Sequence, residues 1–513
     1  MPEKKLTTKE MVSNVLWRAC DSFRGKIDAQ QYKDYILVML FLKYLSDTHE
    51  EHAKKYFEEY NGNAKMVDMM LKRDRFVLDE SCTYENLYKQ RNANNIGEII
   101  NKMLEKIEED NKNKLRGVFR NIDFNSESIF GKTRDRNAML KNVIEEIHGL
   151  DLRPSVLTNA EVLGDAYEYM ISNFASDAGK KGGEFFTPSP VSELLARLVK
   201  PKENDKIYDP TIGSGSLVIR TAKKVPNGKV QIYGQERNGA TFSLCQMNMF
   251  LHQFDDAKIE WGDTLAEPKH LESDELMTFD VEVANPPFSL DKWAMGFSGE
   301  TEYKNFNMRA DLDPYHRFDI GVPPKSKGDY AFVLHMLSSL AENGRMGIIL
   351  PHGVLFRGAS EGKIRKEILK MNLLDCVIGL PSNLFFGTGI PVAILIFKKN
   401  RGRKNLLFID ASQDGMYEKG KNQNTLREED IQRIVEAYEK YETQDKFSYV
   451  ATPEEIKEND YNLNIPRYVD TFEEEEPVDI EAVLKREKEL KLELDEVETK
   501  MADYLSQLGI TEE

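Results

Sequence analysis

The sequence predicts an α/β protein in three parts: an all-helical N-terminal domain, a Rossmann-like α/β domain and a C-terminal coiled-coil helix. Three observations carry this reading. Apolar residues recur at helical spacing from Thr7 to about Leu150. From about Leu157 short apolar strands alternate with helical stretches, and the strands end in glycine, acidic or amide residues. Beyond Glu473-Glu474-Glu475-Glu476-Pro477 a 3-4 apolar repeat persists over about four heptads. The expected boundaries are 1–156, 157–470 and 471–513.

The bulk properties narrow the class. At 513 residues the chain is long enough for two or three domains, and 40% hydrophobic with 31% charged content is ordinary for a soluble protein. The longest apolar run, Ile390 to Phe397, is far short of a membrane span and reads as one buried strand. Met1-Pro2-Glu3-Lys4-Lys5 leads into polar residues rather than a signal-peptide core. Cys20, Cys82, Cys245 and Cys376 form no CxxC pair, so neither a zinc site nor a disulfide frame is expected, and a reducing cytoplasm is. The net charge of −17 is the wrong sign for a chain that grips nucleic acid unaided. Any such contact needs a local patch or a partner.

In the first part Thr7-Thr8-Lys9-Glu10 offers N-cap chemistry, and Val12, Leu16, Cys20 and Phe23 follow on one helical face. A second helix runs from about Gln30 to Tyr60. The period returns from Ile96 to Ile107 and from Asn137 to His148. With no phosphate loop or metal cluster, this region reads as a scaffold or docking domain.

The second part opens with a helix through Leu163, Tyr167, Met170 and Phe174, ended by Gly179-Lys180-Lys181-Gly182-Gly183. Glu184-Phe185-Phe186-Thr187-Pro188 leads into an amphipathic helix from Val191 to Val199, with Pro188 expected at its first position. The segment suits either a capped helix with a buried aromatic pair or the rim of a cofactor site. Lys206 to Ser216, with Asp209, Gly213, Ser214 and Gly215, reads as a short strand and then a glycine-rich turn, before a helix from about Leu217. The turn lacks the Gly-Lys-Ser/Thr ending of a P-loop and is not GxGxxG, which favours a nucleoside without phosphates. A second strand, Val230 to Gly234, leads to Glu236, an acid at the position that holds ribose hydroxyls in Rossmann-type sites. A third unit, Lys258 to Leu265, carries Asp263, suited to accept an adenine amino hydrogen. Alone, each acid is equally a solvated strand end.

Phe279 to Ala284 alternates as a fourth strand and stops at Asn285-Pro286-Pro287-Phe288. Two prolines cannot continue a sheet, so the chain must leave at its carboxyl edge, where such sheets bind ligands. The Asn285 amide oxygen and the proline carbonyl offer acceptors, and Phe288 a stacking face. This set suits a planar group bearing an NH2, although the tetrapeptide alone is equally a proline turn with a core Phe. Four successive units with polar or glycine residues at one edge favour the site. From Ser289 to Gly328 an irregular stretch holds Lys292, Arg309, Arg317, Lys325 and Lys327 and reads as a substrate-side lid or a partly disordered insertion. A helix from Tyr330 to Glu342 follows, then a strand from Arg345 to Leu350 and a helix from Lys363 to Met371. Strands Leu374 to Leu380, Val392 to Phe397 and Leu406 to Ile409 precede a helix from Arg427 to Tyr441. The tail repeat is Ile480, Val483, Glu487, Leu490, Leu494, Val497, Met501, Tyr504 and Leu508, a seam for a partner helix.

Several segments together resemble the modification subunits of type I restriction–modification systems, N6-adenine DNA methyltransferases. They are Gly183 to Pro188, Asp209-Pro210 through Ser216, Asn285 to Phe288, Pro324 to His335 and Asn383 to Thr388. One departure is Thr211-Ile212, where that family often has two alanines. The resemblance implies a methyltransferase that binds S-adenosylmethionine and needs no metal. Glu184, Phe185, Phe186, Thr187, Pro188 and Ser189 would line the methionine side. Asp209, Gly213, Ser214, Gly215 and Ser216 would form the turn side, with Glu236 at the ribose and Asp263 at the adenine. Asn285, Pro286, Pro287 and Phe288 would act on the base. It also implies double-stranded DNA as substrate, a DNA specificity (S) subunit, a second copy of the chain in an M2S1 assembly, and a restriction endonuclease (R) subunit. Other acceptors with an NH2, such as protein glutamine, cytosine N4 or guanine in RNA, are the enzymatic rivals. A helical interaction protein that has lost catalysis is the non-enzymatic one.

Overall fold

The computed structural model describes residues 6–177, 186–297, 306–421, 423–471 and 480–508. It divides into a large unit, Met1–Val469, and a small one, Asp470–Glu513. The large unit begins with eight helices: α1 (Lys9–Asp21), α2 (Ala29–Glu59), α3 (Ala64–Leu71), α4 (Tyr84–Lys89), α5 (Ile96–Asp110), α6 (Glu127–Phe130), α7 (Thr133–His148) and α8 (Val162–Asp177). Thr8 caps α1 by accepting from the Met11 N–H at 3.3 Å, and Glu10 lies in its first turn. In α2 every residue from Ile36 to Phe41 is buried, because this helix is apolar on all sides and runs through the middle of the bundle. Residues of α8 complete the same core, as do Met247 and Phe250 from the sheet domain.

The α/β part runs α9 (Ser189–Val199), β1 (Lys206–Asp209), α10 (Ser216–Ala222), β2 (Gln231–Glu236), α11 (Gly239–Leu251) and β3 (Lys258–Trp261). A two-stranded ribbon, β4 (Leu271–Glu272) with β5 (Glu275–Leu276), intervenes before β6 (Phe279–Ala284). Then come α12 (Asp329–Ser339), β7 (Leu340–Pro351), α13 (Ala359–Lys370), β8 (Leu374–Gly379), β9 (Val392–Lys398), β10 (Leu406–Asp410), α14 (Glu428–Lys440), β11 (Ser448–Ala451) and α15 (Pro453–Glu458). The main sheet has the order β11-β10-β8-β9-β7-β6-β1-β2-β3. Strands β3, β2, β1, β6 and β7 are parallel, whereas β9 runs antiparallel to both β7 and β8. Helices α9, α10 and α14 cover one face and α12 and α13 the other, so the strands are apolar on both sides. This is the expected Rossmann-like sheet. Its order reverses at β1–β6, which sets the ends of those two strands beside the ligand-binding crevice of such sheets.

Three local expectations need correction. The helix expected to reach Glu342 ends at Ser339, and its strand starts at Leu340 rather than Arg345. Leu340 pairs with Phe279 on β6, and this sheet register outweighs the helical propensity of Ala341-Glu342. Pro188 is the N-cap of α9 instead of its first residue; Pro190 occupies the first turn. Sequence reading also passed over α11, whose near-continuous apolar run shows little helical periodicity, and β11.

The small unit holds α16 (Ile480–Gln507). Its expected seam residues, from Ile480 and Val483 to Tyr504 and Leu508, are all exposed. Among the described residues no helix is long and apolar enough to cross a membrane.

Candidate active site

β6 delivers Ala284 buried to the sheet edge, and the chain turns out at Asn285. The Asn285 Nδ2 donates to Thr187 Oγ1 at 3.0 Å. Thr187 is itself buried just ahead of α9, so the amide is held with its other end pointing elsewhere. That other end, Oδ1, is buried and has no hydrogen-bond partner among the described residues. A buried acceptor left open costs stability, about 1–3 kcal/mol, unless something fills it. Phe288, half-buried, meets the edge of Phe385 at 5.7 Å.

Across the switch in strand order, β1 ends at Asp209. Its Oδ1 accepts from the Thr211 N–H at 2.9 Å, and burial pushes its carboxyl up to about 8. The turn that follows needs its glycines: Gly213 and Gly215 have φ of 57° and 81°. A Cβ on Gly215 would also stand 2.6 Å from the Met249 methyl. Glu236, at the end of β2, accepts from the Gly213 N–H at 3.0 Å and the Asn238 N–H at 2.7 Å, and burial raises its carboxyl. So the acid braces the glycine turn. Below the turn, Asn248 donates to Ser214 O at 2.9 Å, and its own buried Oδ1 has no partner among the described residues. Sequence reading missed Asn248; its signal was one amide inside the apolar run Met247 to Leu251.

A single cleft is lined by Phe186, Thr187, Asp209, Thr211, Ile212, Gly213, Ser214, Ser216, Leu217 and Asn285. It gathers seven of the expected residues: Phe186, Thr187, Asp209, Gly213, Ser214, Ser216 and Asn285. Glu236 reaches it through Gly213. Pro188 and Ser189 line a neighbouring pocket with Leu384 and Phe386. Asp263 stands outside the cleft wall, its Oδ1 accepting from the Leu265 and Ala266 N–H groups at 3.0 and 3.2 Å and its Oδ2 3.3 Å from Arg237. Glu184 and Phe185 lie outside the described residues.

One sequence expectation fails here. Arg317, read as part of a substrate-side lid, has a fully buried side chain ion-paired to Asp313 at 2.7 Å, so it is not presented to a substrate. Among the described residues the cleft lining holds Asp209, two serines and two threonines and no lysine or arginine, a set that hydrogen-bonds hydroxyls and amines. No cluster of metal-binding side chains occurs among the described residues.

A reversed-order Rossmann-like sheet with an acid-braced glycine turn after its first strand, and an open amide acceptor after β6, defines a methyltransferase of amino groups. The comparisons narrow the class. The family profile for N-6 DNA methylase matches residues 158–477, and that of the HsdM N-terminal domain matches residues 12–147. The type I restriction enzyme MpnII methylase subunit of Mycoplasma pneumoniae is 34% identical, with 99% of this chain and 98% of that protein covered. The MjaVII methylase subunit of Methanocaldococcus jannaschii is 32% identical, with 98% and 85% covered. A crystal structure of a type I restriction–modification methyltransferase subunit from Streptococcus thermophilus matches with a TM-score of 0.78 at 36% identity, covering 90% of this chain and 100% of that one. The chain belongs to the N-6 DNA methylase family, among the methylase subunits of type I restriction enzymes. It is an adenine-specific DNA methyltransferase, the modification subunit of such a system.

Proposed function

We propose that the cleft between β1 and β6 binds S-adenosylmethionine and that Asn285 to Phe288 hold a flipped adenine against it. The observation that carries this reading is the buried, partnerless Oδ1 of Asn285, oriented by Thr187. The described residues fit the donor: a lining without lysine or arginine, two turn glycines at positive φ, a buried Asp209 at the end of β1 and a half-buried Glu236 at the end of β2. When bound, S-adenosylmethionine supplies an electrophilic methyl group. Phe186, Thr187 and Ser189 would border its methionine half, Ser214, Gly215 and Ser216 its turn side, with Glu236 at the ribose and Asp263 at the adenine.

The target base leaves the duplex at a cost of a few kcal/mol, roughly. Phe288 stacks on it, worth about 1–3 kcal/mol. Asn285 Oδ1 and the Pro286 carbonyl accept the two N6 hydrogens, which turns the nitrogen lone pair toward the methyl group. The same acceptors stabilise the positive charge that grows on N6 during transfer, and the methylated amine then passes its extra proton to water.

The division of the chain at 156/157 and 470/471 would separate docking, chemistry and assembly. The exposed apolar seam of α16 suits a partner helix, and the net charge of −17 suits a chain whose DNA grip is shared. We therefore assign as partners an S subunit, a second copy in an M2S1 enzyme, an R subunit and double-stranded DNA, all in the cytoplasm. The test is transfer of tritiated methyl from S-adenosylmethionine to DNA, by this chain alone and with its S subunit. Label recovered as N6-methyladenine only from the mixture supports the reading. Label on cytosine N4, or none despite donor binding, refutes it.

A further inference from the structure

The segment from 289 to 328 follows Phe288 directly, outside the sheet, and its described part is tied down by hydrogen bonds and ring packing. The Trp293 Nε1 donates to Pro324 O at 2.9 Å, the Lys292 N–H to Lys325 O at 3.2 Å and the Gly328 N–H to Leu290 O at 3.0 Å. The rings of Trp293, Phe297 and Phe318 pack on one another. At the centre lies Arg317, its side chain and that of Asp313 both at 0% exposure. A charge buried this completely persists only when every donor is used.

Arg317 uses them on a different part of the site. Its Nη2 donates to Leu265 O at 2.7 Å and its Nη1 to Thr264 O at 3.3 Å, the two residues after Asp263. Nη1 also lies 3.2 Å from His335 Nδ1. Arginine has donors and no acceptor, so Nδ1 must accept and His335 carries its proton on Nε2. That nitrogen is 3.1 Å from the Tyr208 hydroxyl, to which it donates. Thr264 also gives its own hydroxyl proton to Pro210 O at 2.6 Å. Burial and the neighbouring guanidinium hold His335 well below its ordinary value, so this order of protons survives across neutral pH. Arg317 thus reaches two turns: Thr264-Leu265, next to Asp263, directly, and Pro210, next to Asp209, through Thr264; through His335 it also holds Tyr208, the residue before Asp209.

We infer that Arg317 is a positioning residue for the methyl donor. Paired with Asp313, it fixes the turns after β1 and β3 and so sets the fit of the adenosine half. It also ties that half to the segment that starts at Asn-Pro-Pro-Phe. The inference rests on the donor site proposed above and goes beyond it by naming what holds that site in shape.

The test uses the full chain with its S subunit and two variants, Arg317→Lys and Tyr208→Phe. The readouts are equilibrium binding of S-adenosylmethionine by calorimetry, the melting temperature without donor, the imidazole 15N shifts of His335, and the KM for donor and for DNA. Each variant is expected to weaken donor binding about tenfold, the scale of one lost hydrogen bond to a buried group. The KM for DNA should stay within about twofold. In Tyr208→Phe His335 should keep its Nε2 proton, since Arg317 still sets it. If Arg317→Lys does not fold, Tyr208→Phe decides alone. Unchanged donor affinity, or a DNA KM that rises in step with it, overturns the inference. A wild-type complex that binds no S-adenosylmethionine refutes the donor site itself, a separately readable failure.

Discussion

Two asparagines, the buried Asn111 in the helical part and the half-buried Asn285 at the sheet edge, are treated in opposite ways. Asn111 in the helical core uses its whole amide: Oδ1 accepts from the Val77 N–H at 2.8 Å, and Nδ2 donates to the Val77 and Ile107 carbonyls, each at 2.8 Å. Asn285 uses only Nδ2, and its buried Oδ1 is left open among the described residues. Elsewhere in the helical core the chain packs rings, as where Tyr35 meets Phe124 at 5.0 Å and Phe130 at 4.8 Å. Around Asn285 it buries acids. A satisfied amide is a structural tie, whereas an open acceptor at the sheet edge is available to a ligand.

That contrast can be broken at either end. Asn285→Ala is expected to cut methyl transfer at least about 100-fold, as when an electrostatic partner of a transition state is removed. Donor affinity should stay within about twofold, and stability should hold or rise, because an open acceptor is deleted. Calorimetry beside the tritium assay measures both; a variant with near-normal transfer would end the proposed mechanism. Asn111→Ala should do the reverse. It strands three backbone groups, so urea unfolding is expected to show a loss of at least about 2 kcal/mol, with the rate per folded molecule unchanged.

Two smaller changes sharpen the picture. Phe288→Ala removes about 1–3 kcal/mol of base stacking, seen as roughly tenfold weaker use of DNA, and Phe288→Tyr should restore it. Steady-state KM and kcat on a DNA duplex decide this, and equal loss in both variants would argue against stacking. Glu282, buried in β6, accepts from Ser339 Oγ at 3.0 Å, and burial holds its carboxyl well above the usual range. The folded protein therefore keeps a proton that the unfolded chain releases above about pH 4.3. Stability then falls as pH rises through the window between these values. Glu282→Gln has no such slope, so thermal melts should show the two proteins close at pH 5 and the variant increasingly ahead by pH 9. Parallel melting curves would mean the carboxyl is not held protonated.

Much of this was legible in the chain because it is local. The four strand ends, the glycine turn and Asn285-Pro286-Pro287-Phe288 are set by residues adjacent in sequence, where glycine, proline and alternation act directly on the backbone. The cleft gathers Asn285, Thr187 and the Gly213 turn as expected. Asn248 was hidden because its meaning comes from Ser214, a neighbour only across α11 and the turn. Arg317 was misread for the same reason. A basic residue in an irregular stretch looks solvent-facing until its partners are known.

The sequence by itself determined the class of fold and the order of the motifs, since each rests on periodicity or on residues within one turn of each other. Only the tertiary structure decided which acceptor stays open, which acids brace the turn and what the buried guanidinium holds. Those outcomes depend on hydrogen-bond partners far apart in the chain, and a buried polar group takes its role from whatever partner the fold brings within about 3 Å.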